Sequence, residues 1–173
     1  MADRDQSARA EAATFEEYVR ERSVALQRFA WLVTHDRDEA QDAVQDALIG
    51  LYPRFERVRA MGGVDAYVHR SIVNAAISRW RKRRHTTPVE APEDLVAARA
   101  SDIAEGVADA DAAWRLCAQL PPDQRAAVVL RFWGDRSFAE IAETLDCAEA
   151  TARSYVHRAL TRLRTRLVEE DHD

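Results

Sequence analysis

Apolar residues recur at helical spacing in segment after segment of the chain, and no stretch alternates with the period of a strand. Phe15, Tyr18, Val19, Leu26, Phe29, Ala30 and Val33 share one face, and Thr14 with Glu17 has the spacing of a capping box. These positions predict a helix from Phe15 to near Thr34, interrupted at Arg22, which offers the stripe only an aliphatic stem. Asp36 or Asp38 caps a second helix whose inward positions are Ala40, Ala43, Val44, Ala47, Leu48 and Leu51. Pro53 bends or ends it, and Phe55 and Val58 are placed to pack after the bend. Met61, Gly62 and Gly63 mark a loop. A further helix runs from about Val64 to Arg84, with Val68, Ile72, Val73, Ala76, Ile77 and Trp80 inward.

The pattern then fails. From Thr86 to about Val107 prolines and acids dominate, with room for a short helix from Glu93 to Ala104. Helical spacing returns near Asp109, with Ala113, Leu116, Cys117 and Leu120 inward, and stops at Pro121-Pro122. Pro122 suits the first turn of a helix that runs to Trp133 and ends at Gly134. Ser137 and Glu140 form a second capping box, followed by Phe138, Ile141, Ala142 and Leu145 on one face. Asp146, Cys147 and Ala148 make a turn, and a last helix starts at about Glu149. Its apolar face is Ala152, Val156, Ala159, Leu160, Leu163 and Leu167; its other side carries Thr151, Arg153, Ser154, His157 and Arg158. Two short amphipathic helices around a tight turn, the second with a basic polar face, describe a helix-turn-helix or an ordinary helical hairpin with a solvated face. The fold class is all-α: two small helical domains, 15–85 and 109–168, joined by a flexible acidic linker, 86–108. A disordered N-terminus, 1–14, precedes them and an acidic tail, 169–173, follows.

Charge sharpens this division. The formal net charge is −5, which alone argues against a nucleic-acid partner. Yet residues 79–84 (RWRKRR) hold five cations and no acid, and residues 153–166 hold five arginines and no acid. Between them, residues 86–113 hold seven acids and one arginine. Distribution decides what a charged surface attracts, and here two basic patches flank an acidic segment. Arginine neutralises phosphates and aromatic faces stack on unpaired bases, so 79–84 suits DNA, although cations near a helix C-terminus are favoured anyway. On the second helix Asp38, Asp42, Gln45 and Asp46 form an acidic face, either solvated or a docking face for a basic partner. Arginine outnumbers lysine 24 to 1, a bias expected of a GC-rich genome.

Catalytic chemistry finds no seat. The five histidines lack metal-binding spacing, and there is no glycine-rich phosphate loop and no nucleophile elbow. Cys117 and Cys147 form neither a zinc pattern nor a disulfide framework. The expectation is a non-enzyme without metal or cofactor. No apolar run approaches a membrane span and the N-terminus does not read as a signal peptide, so a cytoplasmic protein is expected.

Three stretches together resemble the extracytoplasmic-function (ECF) sigma factors of bacterial RNA polymerase. RDEAQDAVQDALIGLY (37–52) is similar to the helix of that family's region two, usually D-A-E-D-L-V-Q-D-T-F-L-R-L-W. DAYVHRSIVNAAISRWRKRRH (65–85) is similar to the part that melts the promoter and reads the minus-ten element. LPPDQRAAVVLRFWGDRSFAEIAETLDCAEATARSYVHRALTRLR (120–164) is similar to region four, which binds the minus-thirty-five element. Order and spacing match over about residues 15–167, and FEEYVRERSVALQRFAWLVTHDRDEA looks most like the actinomycete SigE-like group.

The resemblance implies a promoter-recognition subunit that binds core RNA polymerase through its beta-prime coiled coil and beta flap. It would engage promoter DNA, both duplex and melted single strand, and answer to an anti-sigma factor. Asp38, Asp42, Gln45 and Asp46 fall at polymerase-binding positions. Arg57, Arg59, Tyr67, Arg70, Asn74, Arg79, Trp80, Lys82 and Arg83 fall at minus-ten positions, with the loop from about Arg57 to Asp65 helping to hold a flipped base. Thr151, Arg153, Ser154, Tyr155, His157 and Arg158 fall at minus-thirty-five positions. The family's usual P-V-G-T-V-K-S-R is AEATARSY here; Ala150, Ala152 and Tyr155 leave the helix intact and the base preference open. The rival reading is a stand-alone helix-turn-helix regulator with residues 15–85 as a ligand or dimer domain, although no dimer heptads or pocket residues favour it.

Overall fold

The computed structural model describes residues 14–86 and 115–170, with side chains as far as Arg83 in the first segment and Arg166 in the second. The segment before Thr14, the linker after Thr86, Ala113, the Leu167 side chain and the end of the acidic tail lie outside the described residues. Helix α1 is Phe15–Thr34, α2 Arg37–Leu51, α3 Phe55–Ala60 and α4 Val64–Thr86, with a 3-10 turn at Tyr52–Arg54. After a helical turn at 115–117 come α5 Pro122–Phe132, α6 Phe138–Leu145 and α7 Glu149–Glu170. Among the described residues there is no strand.

Helix ends fall where local chemistry sets them. The Thr14 hydroxyl accepts the Glu17 amide at 3.2 Å while the Glu17 carboxylate accepts the Thr14 amide, so both arms of the box are made. Asp36, not Asp38, caps α2 and accepts the Glu39 amide at 2.9 Å. Asp38 stands in the first turn instead, where the helix dipole favours a carboxylate. Pro53 ends α2 in the 3-10 turn, and Phe55 is buried just beyond it. Gly134 follows the end of α5 at a position that needs glycine, since a Cβ there would sit 2.9 Å from the Leu130 carbonyl oxygen.

In the first unit α2 packs on α4 and on α1. The core holds the expected Leu26, Phe29, Leu51, Val68, Ile72 and Val73, and Leu32 joins it from outside the expected stripe. Arg22 corrects the reading of α1. It is an ion-pair donor to Asp65 of α4, with Nη2–Oδ2 at 2.6 Å and Nε–Oδ1 at 3.2 Å. The Tyr18 hydroxyl donates to the same carboxylate at 2.9 Å. Burial, and then the Asp65 charge, push that phenol well above its usual range.

The second unit rests on the first. α5 lies against α1 and α4, α6 lies against α4, and one apolar cluster runs through both units. Arg125 of α5 is buried here and donates to the Ala118 carbonyl at 3.0 Å; burial pushes its pKa down to about 10. His35, the left-handed C-cap of α1 at φ 51°, is held down to about 3 by burial and then by the Arg125 charge. His69 stacks on Phe29 with centroids 4.1 Å apart. Burial lowers it to about 4, against an upward pull from Asp65 and with smaller downward pushes from Arg136 and Arg22.

Both histidines are therefore neutral in the fold and charged in the unfolded chain below pH 6.5. Their stabilisation is complete above pH 6.5 and is lost as pH falls toward about 4 for His69 and about 3 for His35. Unfolding free energy should drop by at most about 1.4 kcal/mol per pH unit per histidine between pH 6.5 and 5, above the usual carboxylate range. Urea unfolding across that window checks this. His35→Asn, which tolerates the left-handed cap, and His69→Phe should each flatten the slope.

Candidate nucleic-acid interface

The two helices around 146–148 form a helix-turn-helix built from local bonds. The Ser137 hydroxyl accepts the Glu140 amide at 3.2 Å, and the Glu140 carboxylate accepts the Ser137 amide at 2.8 Å. Those bonds from Ser137 hold the Glu140 carboxyl below its usual range, with Arg136 adding to the effect. α6 ends at Asp146 in the left-handed region, and the Cys147 amide bonds the Ala142 carbonyl at 3.0 Å. Ile141, Ala142, Leu145, Ala152 and Val156 are buried, which fixes how α7 turns its other face outward. Arg153, Ser154, His157 and Arg158 are exposed together, one helical turn deep. Thr151 and Tyr155 are half-buried, and Tyr155 packs at the edge of the core. Ser154 Oγ already donates to the Ala150 carbonyl at 2.9 Å. Arg153 pairs with Glu149 and lies over the Phe138 ring, 4.6 Å from its centroid.

The second basic surface lies on α4, where Asn74, Arg81, Lys82 and Arg83 are exposed. Other residues expected there have partners within the chain. Arg70 pairs with Glu143 of α6, and Tyr67 donates to the Gly50 carbonyl at 3.3 Å. Arg59 pairs with Glu56 at 2.7 Å, while Arg57 is exposed. Residues 57–60 belong to α3, so the expected loop from about Arg57 shrinks to 61–63; burial of Phe55 restarts the helix that Pro53 had stopped. Trp80 is half-buried and lines a pocket with Val33, Ile77, Pro122 and Arg125 where the units meet. On α2, Asp38, Asp42, Gln45 and Asp46 are all exposed on one face. Arg79 of α4 reaches that face, with Nη2 3.0 Å from Asp46 and 3.8 Å from Asp42 and Nη1 3.1 Å from the Glu39 carbonyl. Arg83 pairs with Glu39.

A two-part helical protein with this arrangement matches known proteins along nearly its whole length. Residues 18–86 match the family model for Sigma-70 region 2 and residues 110–163 that for Sigma-70, region 4. The RNA polymerase sigma-E factor of Streptomyces coelicolor is 39% identical over 164 residues, 94% of this chain and 91% of the relative. The ECF RNA polymerase sigma factor SigM of Mycobacterium tuberculosis is 33% identical over 86% of this chain and 74% of its own. The chain belongs to the ECF sigma factors of bacterial RNA polymerase. The solved sigma factor RpoE of Bartonella quintana, crystallised with the anti-sigma factor NepR, superposes with a TM-score of 0.67 at 26% identity. The likeness covers 88% of this chain and 96% of that one.

In this sigma factor the first unit is region 2 and the second region 4. Among the described residues, no helix is long and apolar enough to cross a membrane. Burial pushes the Cys117 thiol up to about 11, which keeps it protonated and unreactive. Sequence reading missed the partners that restrain the basic residues. Glu143 and Asp65 act on residues far along the chain, with no local signal to find them. Glu149, four residues before Arg153, is the exception, since that spacing itself signals a helical ion pair. The Ser137 cap is the local anchor of the helix-turn-helix. Ser137→Ala should cost about 1 kcal/mol of stability, read as a lower urea midpoint with unchanged slope.

Proposed function

We propose that each of the three charged surfaces has its own partner in transcription initiation. Sigma factors are not enzymes; they bind core RNA polymerase, direct it to particular promoters and help open the duplex. The α2 face of Asp38, Asp42, Gln45 and Asp46 docks on the basic beta-prime coiled coil, and region 4 also engages the beta flap. The exposed part of α4, with Asn74, Lys82 and Arg83, takes the minus-ten element as it melts, with Arg79 at its edge. Arg57, Arg59, Tyr67, Arg70 and Trp80 border that surface. The α7 row of Arg153, Ser154, His157 and Arg158, flanked by Thr151 and Tyr155, reads the minus-thirty-five element in the major groove. Linking two weak DNA modules raises the effective concentration of the second, so promoter spacing enters specificity. The setting is the cytoplasm, and an anti-sigma factor holds the chain when it is not needed, as NepR binds the Bartonella relative.

The observation that carries this reading is the pairing, in one chain, of an exposed helix-turn-helix row with a second basic helix beside an exposed acidic face. Reconstitution with purified core polymerase and genome-wide run-off transcription tests it. Specific starts that depend on the protein are expected. Duplex binding by the protein alone, with no core binding and no starts, would establish the stand-alone regulator instead. Like charges across an interface oppose docking, so Asp42→Lys with Asp46→Lys should weaken core affinity by about tenfold or more. Unchanged affinity in a core-binding titration would return those carboxylates to plain solvation.

A further inference from the structure

Arg153 is not a loose surface arginine. Its guanidinium lies over Phe138, the first residue of α6, with 4.6 Å from carbon to ring centroid. Glu149, one turn earlier on α7, takes a hydrogen bond from Arg153 Nη2. Phe138 is itself held. It follows the Ser137 cap, is half-buried against the core, and carries the guanidinium of Arg131 as well, at 5.0 Å. Arg131 in turn donates to the Arg136 carbonyl at 2.8 Å. The ring thus joins α5, α6 and α7 at the mouth of the helix-turn-helix.

The contact geometry separates two uses of one side chain. A ring beneath a guanidinium engages its flat face by cation–π attraction and leaves the in-plane N–H donors for other partners; Glu149 takes one from Nη2, and the rest stay available. Those in-plane donors are the ones a bidentate contact to a guanine edge needs. An arginine has many rotamers, and ordering them on binding costs affinity unless they are already restricted. Glu149 adds a counter-charge beside the guanidinium, which reduces its attraction to phosphate at any sequence.

We propose that Phe138 and Glu149 are positioning residues for base readout: the ring orients the Arg153 fork toward a base edge, and the carboxylate discourages its use on the DNA backbone. The inference rests on the assignment of Arg153 to the upstream promoter element. In this arrangement Arg153 enters the groove in a restricted set of geometries, and promoter discrimination at one base pair depends on a residue that touches no DNA.

The test uses holoenzyme reconstituted from the full-length chain and core polymerase, on a promoter mapped by run-off transcription. Each upstream-element base pair is substituted in turn, and affinities are measured at fixed salt and along a salt series. Arg153→Ala should remove roughly tenfold discrimination at one base pair. Phe138→Leu, which keeps apolar volume and loses the ring face, should lower discrimination at that same base pair by about threefold, and Phe138→Tyr should restore it. Glu149→Gln should tighten binding to random-sequence duplex and steepen its log–log salt slope by about one. If Arg153→Ala loses discrimination while Phe138→Leu and Glu149→Gln match the wild type, the positioning role is wrong and the Arg153 assignment stands. A Phe138→Leu loss spread evenly over all positions would make the ring a merely structural support and overturn the proposal. Wild-type discrimination by Arg153→Ala would overturn the assignment itself.

Discussion

The packing of α2 on α4 sets the direction of nearly every charged group in region 2. α2 turns Ala40, Ala43, Val44 and Ala47 inward, and α4 turns Val68, Ile72, Val73 and Ala76 inward. The three alanines on α2 let the two helices approach closely, and ridges packed into grooves then fix their rotation. Once those faces are buried, Asp38, Asp42, Gln45 and Asp46 are left on the exposed side of α2, and Asn74 and Lys82 on the exposed side of α4. Arg79 stands at the seam, near enough to bridge both helices, so the acidic and basic faces meet along one edge.

Much of this was legible in the chain. Period and caps placed the helices: Thr14 with Glu17 and Ser137 with Glu140 each made both bonds of a capping box. The proline at 53 and the glycine at 134 ended helices where backbone chemistry requires. What could not be read was the partnership of charges. Arg22 looked like a flaw in an apolar stripe because its carboxylate, Asp65, lies on another helix. Among the residues expected at DNA, the exposed row of α7 could be read from its own periodicity. Tyr155 could not, because whether a tyrosine at that angle reaches solvent depends on the neighbouring helices. Arg70 and Trp80 likewise depend on the contact between the two units.

That contact is the feature least expected from a chain with an acidic break in its middle. Two modules joined by a polar linker suggest independent bodies, yet one apolar cluster continues from α1 and α4 into α5 and α6. Its polar content is small and paired in an asymmetric way. Arg125 stays charged and donates to the Ala118 carbonyl, while His35 beside it stays neutral. A buried cation next to a neutral imidazole avoids the repulsion that two charges would bring. The junction also holds Arg70 against Glu143, so a side chain assigned to promoter DNA in region 2 is bonded to region 4 in this arrangement.

The near-exclusive use of arginine has a practical side. Lys82, exposed on α4 among arginines, is the one lysine of the chain. An amine-directed fluorophore can therefore modify one side chain besides the N-terminus, and that side chain sits on the face assigned to melted DNA. A dye placed there reports from a single known point of the polypeptide. It also replaces an ammonium charge with a bulky group, so labelling alters the surface that it observes.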